Sequence, residues 1–400
     1  MEKKGQAFYH KLYGPKKTRA TYNRGDFIDY VLMMFATAAV VVFAYGWGSP
    51  IASVGLALCA FTLAMFVKRH GVELKTPVIL KRPQELLYMF LYKLQNMRSM
   101  YFITLALLLL ENFAIAATPN LPHHVELMRT IAYWLFYIHL ISITVFRTVI
   151  LFDHLAKREL VREVLMQTAW KKVVNERTSV VLEILHAYFT GLLTHIVLIA
   201  PWYLVITYLN FSVIFLPVVC LINIVVHLKW MRLNNSWFYR DHWLGHNCEF
   251  EFVYLHGTHH DAIPCGLIGV AGNGFLEGFM RHTIGSPAPY YNPAVSFLVY
   301  MFDVKNDIEL HQYIPGIYPR LSKNFMAVIQ HSTHHHGRVE PYGFGMKLDQ
   351  PGVSEEFKRA YDKFPDEITN SIKLDEELTG FEWDNPTHRK IRDLYEKYQN

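Results

Sequence analysis

An all-α integral membrane protein, with about six transmembrane helices and a cytoplasmic helical cap holding a histidine-rich dimetal site, is the fold class that three observations predict. The chain is 52% hydrophobic and only 18% charged, whereas soluble proteins carry about a quarter charged residues. Its apolar residues gather into runs such as "YFITLALLLLENFAIAAT", from Tyr101 to Thr118, long enough to cross a hydrocarbon core. Three groups of histidines at helical spacing then follow the last of these runs.

Residues 1–28 read as a cytoplasmic tail, because "MEKKGQAFYHKLYGPKKTRATYNR" is basic and polar and has no short cleavable apolar core. Apolar content and length predict spans at 29–47, 51–67, 101–118, 130–152, 179–201 and 211–226, with 202–209 extending the fifth at a tilt. Between the second and third, "LKRPQELLYMFLYKLQNMR" is apolar on one side and basic at both ends, so it suits the interface, with Pro83 in a first helical turn. Residues 290–302, "YYNPAVSFLVYMF", are too few for a span and read as re-entrant or interfacial. From Gly352 the chain is polar, and Ser354 suits the cap of a short helix ending before Pro365.

Charge orients the helices. Lys and Arg crowd the tail, residues 68–98 and residues 157–177, whereas "GSP", "PNLPHHVELM" and "LN" carry none. Six spans with both termini in the cytoplasm satisfy every connection and bring the histidines out on the cytoplasmic side. The net charge of +5 is modest and its clusters lie in loops, which fits membrane orientation and not nucleic-acid binding. Cys59, Cys220, Cys248 and Cys265 form no C-x2-C, so neither a disulfide framework nor a zinc ribbon is indicated.

The histidines carry the chemistry. "HWLGH" places His242 and His246, "HGTHH" places His256, His259 and His260, and "HSTHHH" places His331, His334, His335 and His336. With 21 histidines in 400 residues, chance supplies about 0.06 copies of H-x2-H-H, and the chain has two. Positions i, i+3 and i+4 share one helix face, and imidazole is the commonest nitrogen ligand of iron, copper and zinc. Taking His331 as zero, His334 falls at about 300°, His335 at about 40° and His336 at about 140°. The first three therefore face a metal and His336 points away. Eight convergent histidines exceed what one ion takes and suit two.

These boxes, within residues 237–351, resemble those of the fatty acid hydroxylase/sterol desaturase superfamily, integral-membrane di-iron oxygenases acting on fatty acyl chains, sterols, alkyl lipids and carotenoids. The trailing "YGFG" is similar as well, and "NDIELHQYIPG" matches a stretch that supplies a further ligand, carried here onto His311. A still later ligand position of some members is Pro315. The resemblance implies a catalytic domain over 179–351 and an N-terminal block of four helices over 29–178, with 352–400 as a polar cytoplasmic tail. It implies two iron ions, O2 as co-substrate and a membrane lipid as substrate. Hydrogen removal from an unactivated C–H bond followed by hydroxyl transfer gives an alcohol, and a second hydrogen removal gives an alkene. A narrow apolar channel from the metals to the bilayer is expected, lined by aromatics of the fifth and sixth spans and of 290–302. No flavin, nicotinamide or haem motif occurs, so electrons are expected from a separate ferredoxin or cytochrome b5 type donor. The compartment expected is a bacterial inner membrane or the endoplasmic reticulum.

Asp241 and Asp261 flank two boxes and either accept from imidazole N–H groups or cap helices. His282, in "MRHTIG", is a further candidate ligand or substrate contact. Glu111, His139, His186 and His195 fall within spans and read as hydrogen-bonded between helices, Glu111 with His139 for instance. A soluble-type di-iron carboxylate bundle needs a second E-x-x-H beside "EILH", and none occurs. "GVAGNGFLEG" has its third glycine one place too far for a dinucleotide fingerprint. Two other classes compete. A zinc hydrolase needs a motif like H-E-x-x-H, which is missing, and a metal transporter places its ligands inside the spans.

Overall fold

The computed structural model describes residues 27–70, 78–81, 83–167, 179–226 and 291–298, with isolated positions at 72, 74, 242, 245, 256, 301, 393, 394, 397 and 398. The regular elements among them are α1 (Phe27–Tyr45), α2 (Pro50–His70), α3 (Val78–Lys81), α4 (Pro83–Ala117), α5 (Val125–Ala156), α6 (Arg158–Gln167) and α7 (Val180–Tyr208). An apolar helix α8 (Leu216–Val226) follows, and then a helical stretch α9 over 293–298. No strand occurs among the described residues.

Among the described residues four helices, α1, α2, α5 and α7, are long and apolar enough to cross a membrane. The chain is a multi-pass membrane protein, all-α among the described residues. All six expected spans are helical, but two of them fall short of that length. The third is the apolar part of α4, Tyr101–Ala117, and the sixth is α8. Physical causes are visible for both. Past Pro83 the sequence of α4 has no Pro or Gly to interrupt it, so the expected interfacial helix and the third span form one helix of 35 residues. The sixth span starts late because residues 213–215 form a turn, and Pro217 then stands in the first turn of α8, where its missing N–H costs nothing.

Helix α7 is the centre of the bundle. It packs against α1, α2 and α5, and 61% of its apolar window is buried, against 33–39% in the other three long helices. Small residues on its inward stripe, Ala187, Thr190, Gly191 and Thr194, admit neighbouring helices closely. Helices α1 and α2 are joined by a turn in which Gly46 holds φ at 79°, a conformation that favours glycine. Gly55 lets them touch, since a Cβ there would stand 2.6 Å from Val41 Cγ1.

The Tyr45 phenol at the end of α1 donates to the Ile196 carbonyl of α7 at 2.7 Å, a turn before Pro201. A Tyr45→Phe change is expected to cost about 1 kcal/mol, read as a few degrees in the thermal midpoint in detergent. An unchanged midpoint would mean that the bond adds nothing to the helix pairing.

Residues 291–298 settle inside the bundle. Asn292 Oδ1 accepts from Ala294 N at 3.0 Å and so caps α9, with Pro293 in its first turn. Phe297 is fully buried, with its ring centroid 5.4 Å from that of Phe136 on α5. Phe136 in turn meets Tyr203 of α7 at 5.3 Å, and Tyr203 meets Tyr45 at 4.9 Å. Aromatics expected along a channel thus form a packed layer with α1 and α5. At the far end of the chain, Tyr398 Oη donates to Glu159 Oε2 of α6 at 3.3 Å, and Leu394 and Tyr398 pack on the core.

Candidate metal centre

Two histidines from different boxes meet in the structure. His242 of the first box and His256 of the second are each 1% exposed, and their Nε2 atoms stand 3.0 Å apart. Their ring planes are inclined at 87° with centroids 4.6 Å apart. Burying two imidazoles Nε2 to Nε2 brings two lone-pair positions together, which is favourable only if something positive lies between or beside them. A shared proton does this, with one ring donating. A metal ion does it too. Two nitrogens at about 2.1 Å from one ion and at right angles to each other stand about 3.0 Å apart. The pair therefore fits a metal.

His246, His259, His260, His311, His331, His334 and His335 lie outside the described residues, as do Asp241, Asp261, His282 and His336. Among the described residues no group of three or more His, Cys, Asp or Glu side chains gathers as a metal cluster.

The ionisable groups within the spans are placed in detail. Glu111 is not paired with His139 as expected. Its Oε1 accepts from the Ser212 amide at 3.0 Å, and Tyr291 hydrogen-bonds its carboxylate. The backbone explains the change: the turn after α7 presents an amide N–H to α4, and a buried amide needs an acceptor. His139 instead lies beside Phe297, at 6.1 Å between centroids. His195 follows the expectation of an interhelical bond, with Arg147 of α5 as its partner at 3.0 Å. A guanidinium has only donors, so His195 Nε2 accepts and its ring is neutral with the proton on Nδ1.

Arg147 is the residue that box spacing does not reveal. It is fully buried within the membrane-spanning α5, nine residues before the helix ends at Ala156, where a charge is costly and by default functional. Its signal in the sequence is a lone arginine in an apolar run, opposite a helix that carries glycine. A Cβ on Gly191 would stand 2.7 Å from Arg147 Cζ, so the glycine makes the room for the guanidinium. His123 is likewise unannounced. It joins Ser212 Oγ through Nδ1 at 2.9 Å and Thr118 Oγ1 through Nε2 at 2.9 Å, tying the connection before α5 to that after α7.

Compared with protein-family models, with curated proteins and with solved structures, the chain matches none.

Proposed function

We propose that the protein is a membrane-bound non-haem di-iron oxygenase that uses O2 and externally supplied electrons to hydroxylate a lipid. The observation that carries the reading is the meeting of His242 and His256 at 3.0 Å, two imidazoles from separate boxes buried with their Nε2 atoms face to face. The resemblance of the boxes to the fatty acid hydroxylase/sterol desaturase superfamily supports it. So does the setting, a multi-pass helical membrane protein whose boxes begin sixteen residues after the apolar helix α8 ends at Val226.

His242, His246, His256, His259, His260, His311, His331, His334 and His335 would hold two irons, which when bound supply the oxidising power that no side chain has. Everything else falls to the chain. Burial of His242 and His256 excludes water, and spacing at i, i+3 and i+4 turns each box toward one point. Asp241 and Asp261 would accept from the outer imidazole N–H groups and fix their tautomers. The membrane delivers the lipid, and a separate ferredoxin or cytochrome b5 type protein delivers electrons on the cytoplasmic side.

The test is metal analysis of the purified protein together with lipid mass spectrometry of cells with and without it. Two irons per chain and lipids heavier by one oxygen are expected. Lipids lighter by two hydrogens would mark a desaturase with the same boxes. One zinc per chain, or variable occupancy with no lipid change, would sink the reading in favour of a hydrolase or a transporter.

The third box gives a sharper result at single-residue resolution. His335→Gln is expected to lose iron and activity, while His336→Gln keeps iron near normal, because the two positions differ by about 100° around a helix. Equal loss in both would refute the helical-face argument.

A further inference from the structure

Two parts of the chain that lie far apart in sequence come to rest on one core. Phe297 of α9 belongs to the central cluster of the bundle, and Leu394 and Tyr398 pack against that same cluster. Between them, residues 299–392 carry His311 and the third box, His331, His334 and His335. Those proposed ligands therefore belong to an excursion from the bundle with both of its ends fixed to it.

Helix spacing builds the second attachment. Residues 393, 394, 397 and 398 are helical, with Leu394 and Tyr398 partly buried and Asp393 and Lys397 exposed. Positions four apart share a helix face, so one side is apolar and the other charged. Helix α6 receives it. Tyr398 Oη donates to Glu159 Oε2 at 3.3 Å, and Lys397 Nζ stands 3.6 Å from the same oxygen. Leu160 and Val161, both buried, hold α6 itself on the core. The Lys397 and Glu159 side chains are 64% and 58% exposed, so their ion pair adds little and is screened by salt. Leu394 and the Tyr398 ring supply most of the attachment, by removing apolar surface from water.

We propose that Leu394, Tyr398 and Glu159 are positioning residues for the third box. They hold the far end of its excursion on α6 and so raise the effective concentration of His331, His334 and His335 at the metal centre. A segment tied at one end samples a wide volume, and a second tie removes much of that freedom before any metal binds. The ligands then lose less entropy on meeting the metal. The attachment stands on its own contacts, and rests on the di-iron reading only in taking the third box as ligands.

The test uses the full chain in phosphatidylcholine nanodiscs. Leu394→Asp puts a charge on the apolar face, and Glu159→Lys sets two cations against each other. In both, trypsin is expected to cut within 299–392 about fivefold faster, and a chelator to remove iron faster by a similar factor. An unchanged thermal midpoint shows that the bundle is intact; Tyr398→Ala is read in the same way if either variant does not fold. The charge exchange Glu159→Lys/Lys397→Glu is expected to bring both rates back toward normal, which a general loss of stability does not do. Unchanged cleavage in the folded variants overturns the proposal. So does faster cleavage with iron lost at the normal rate, because the attachment then does not serve the ligands. A charge exchange that restores neither rate overturns it as well. An unaltered protein that binds no iron sinks the oxygenase reading, and the trypsin rates still decide whether Leu394 and Tyr398 hold the excursion.

Discussion

His256→Ala is expected to abolish both iron retention and lipid oxidation, a loss of more than a hundredfold in turnover. The expectation follows from how the pair is buried. His242 and His256 are each 1% exposed and bring their Nε2 atoms to 3.0 Å, so on the proposed di-iron reading both rings would be ligands and removing either would open a coordination position. Loss of one ligand from an oxidant-generating centre removes the chemistry itself, because no side chain can replace what the metal supplies. A pair joined only by a proton predicts something much milder. Removing one partner of a buried neutral hydrogen bond costs about 1–3 kcal/mol in stability and leaves metal content unchanged. Iron per chain, measured on folded His242→Ala and His256→Ala proteins, separates the two. Unchanged iron in both variants would end the assignment of these boxes as ligands.

The fold was legible in the sequence where apolar length decides it and less so where local backbone chemistry decides. Runs around Val41, Phe136 and Ile196 announce helices, and each lies in one. The length of α4 was hidden because "LKRPQELLYMFLYKLQNMR" has the charge pattern of an interfacial helix, while continuity depends on the lack of any breaker between Pro83 and Ala117. The turn at 213–215 was hidden because Ser212 and Val213 donate across the bundle, to Glu111 and to the His123 carbonyl at 2.9 Å. No periodicity encodes such bonds. The candidate site was read from spacing alone; of its histidines only His242 and His256 lie among the described residues, with their Nε2 atoms 3.0 Å apart. Arg147 escaped because one charge in an apolar run has no motif. Only the helix opposite, with Gly191 and His195, shows why it is tolerated.

Gly191→Leu is expected to prevent stable pairing of α5 and α7, and Gly191→Ala to cost about 2–3 kcal/mol, large values for changes at a residue without a side chain. The cause is Arg147. Even a single Cβ on Gly191 would stand 2.7 Å from Arg147 Cζ, so the guanidinium would have to shift. Its residue is fully buried, and its Nη2 is held on His195 Nε2 at 3.0 Å. Moving it breaks a hydrogen bond made by a charge in the interior, where desolvation is not recovered elsewhere. Arg147→Ala is itself expected to cost about 3 kcal/mol, through a cavity and the loss of the donor to His195. The two sites must then couple. With the guanidinium gone, the alanine at 191 meets empty space, so Gly191→Ala/Arg147→Ala should be no less stable than Arg147→Ala alone. Unfolding of the four proteins in mixed micelles by SDS titration gives the cycle. Additive losses would mean that Gly191 serves the helix backbone and not the arginine. A coupling of about 2 kcal/mol would place the tolerance of a buried charge in one missing methyl group.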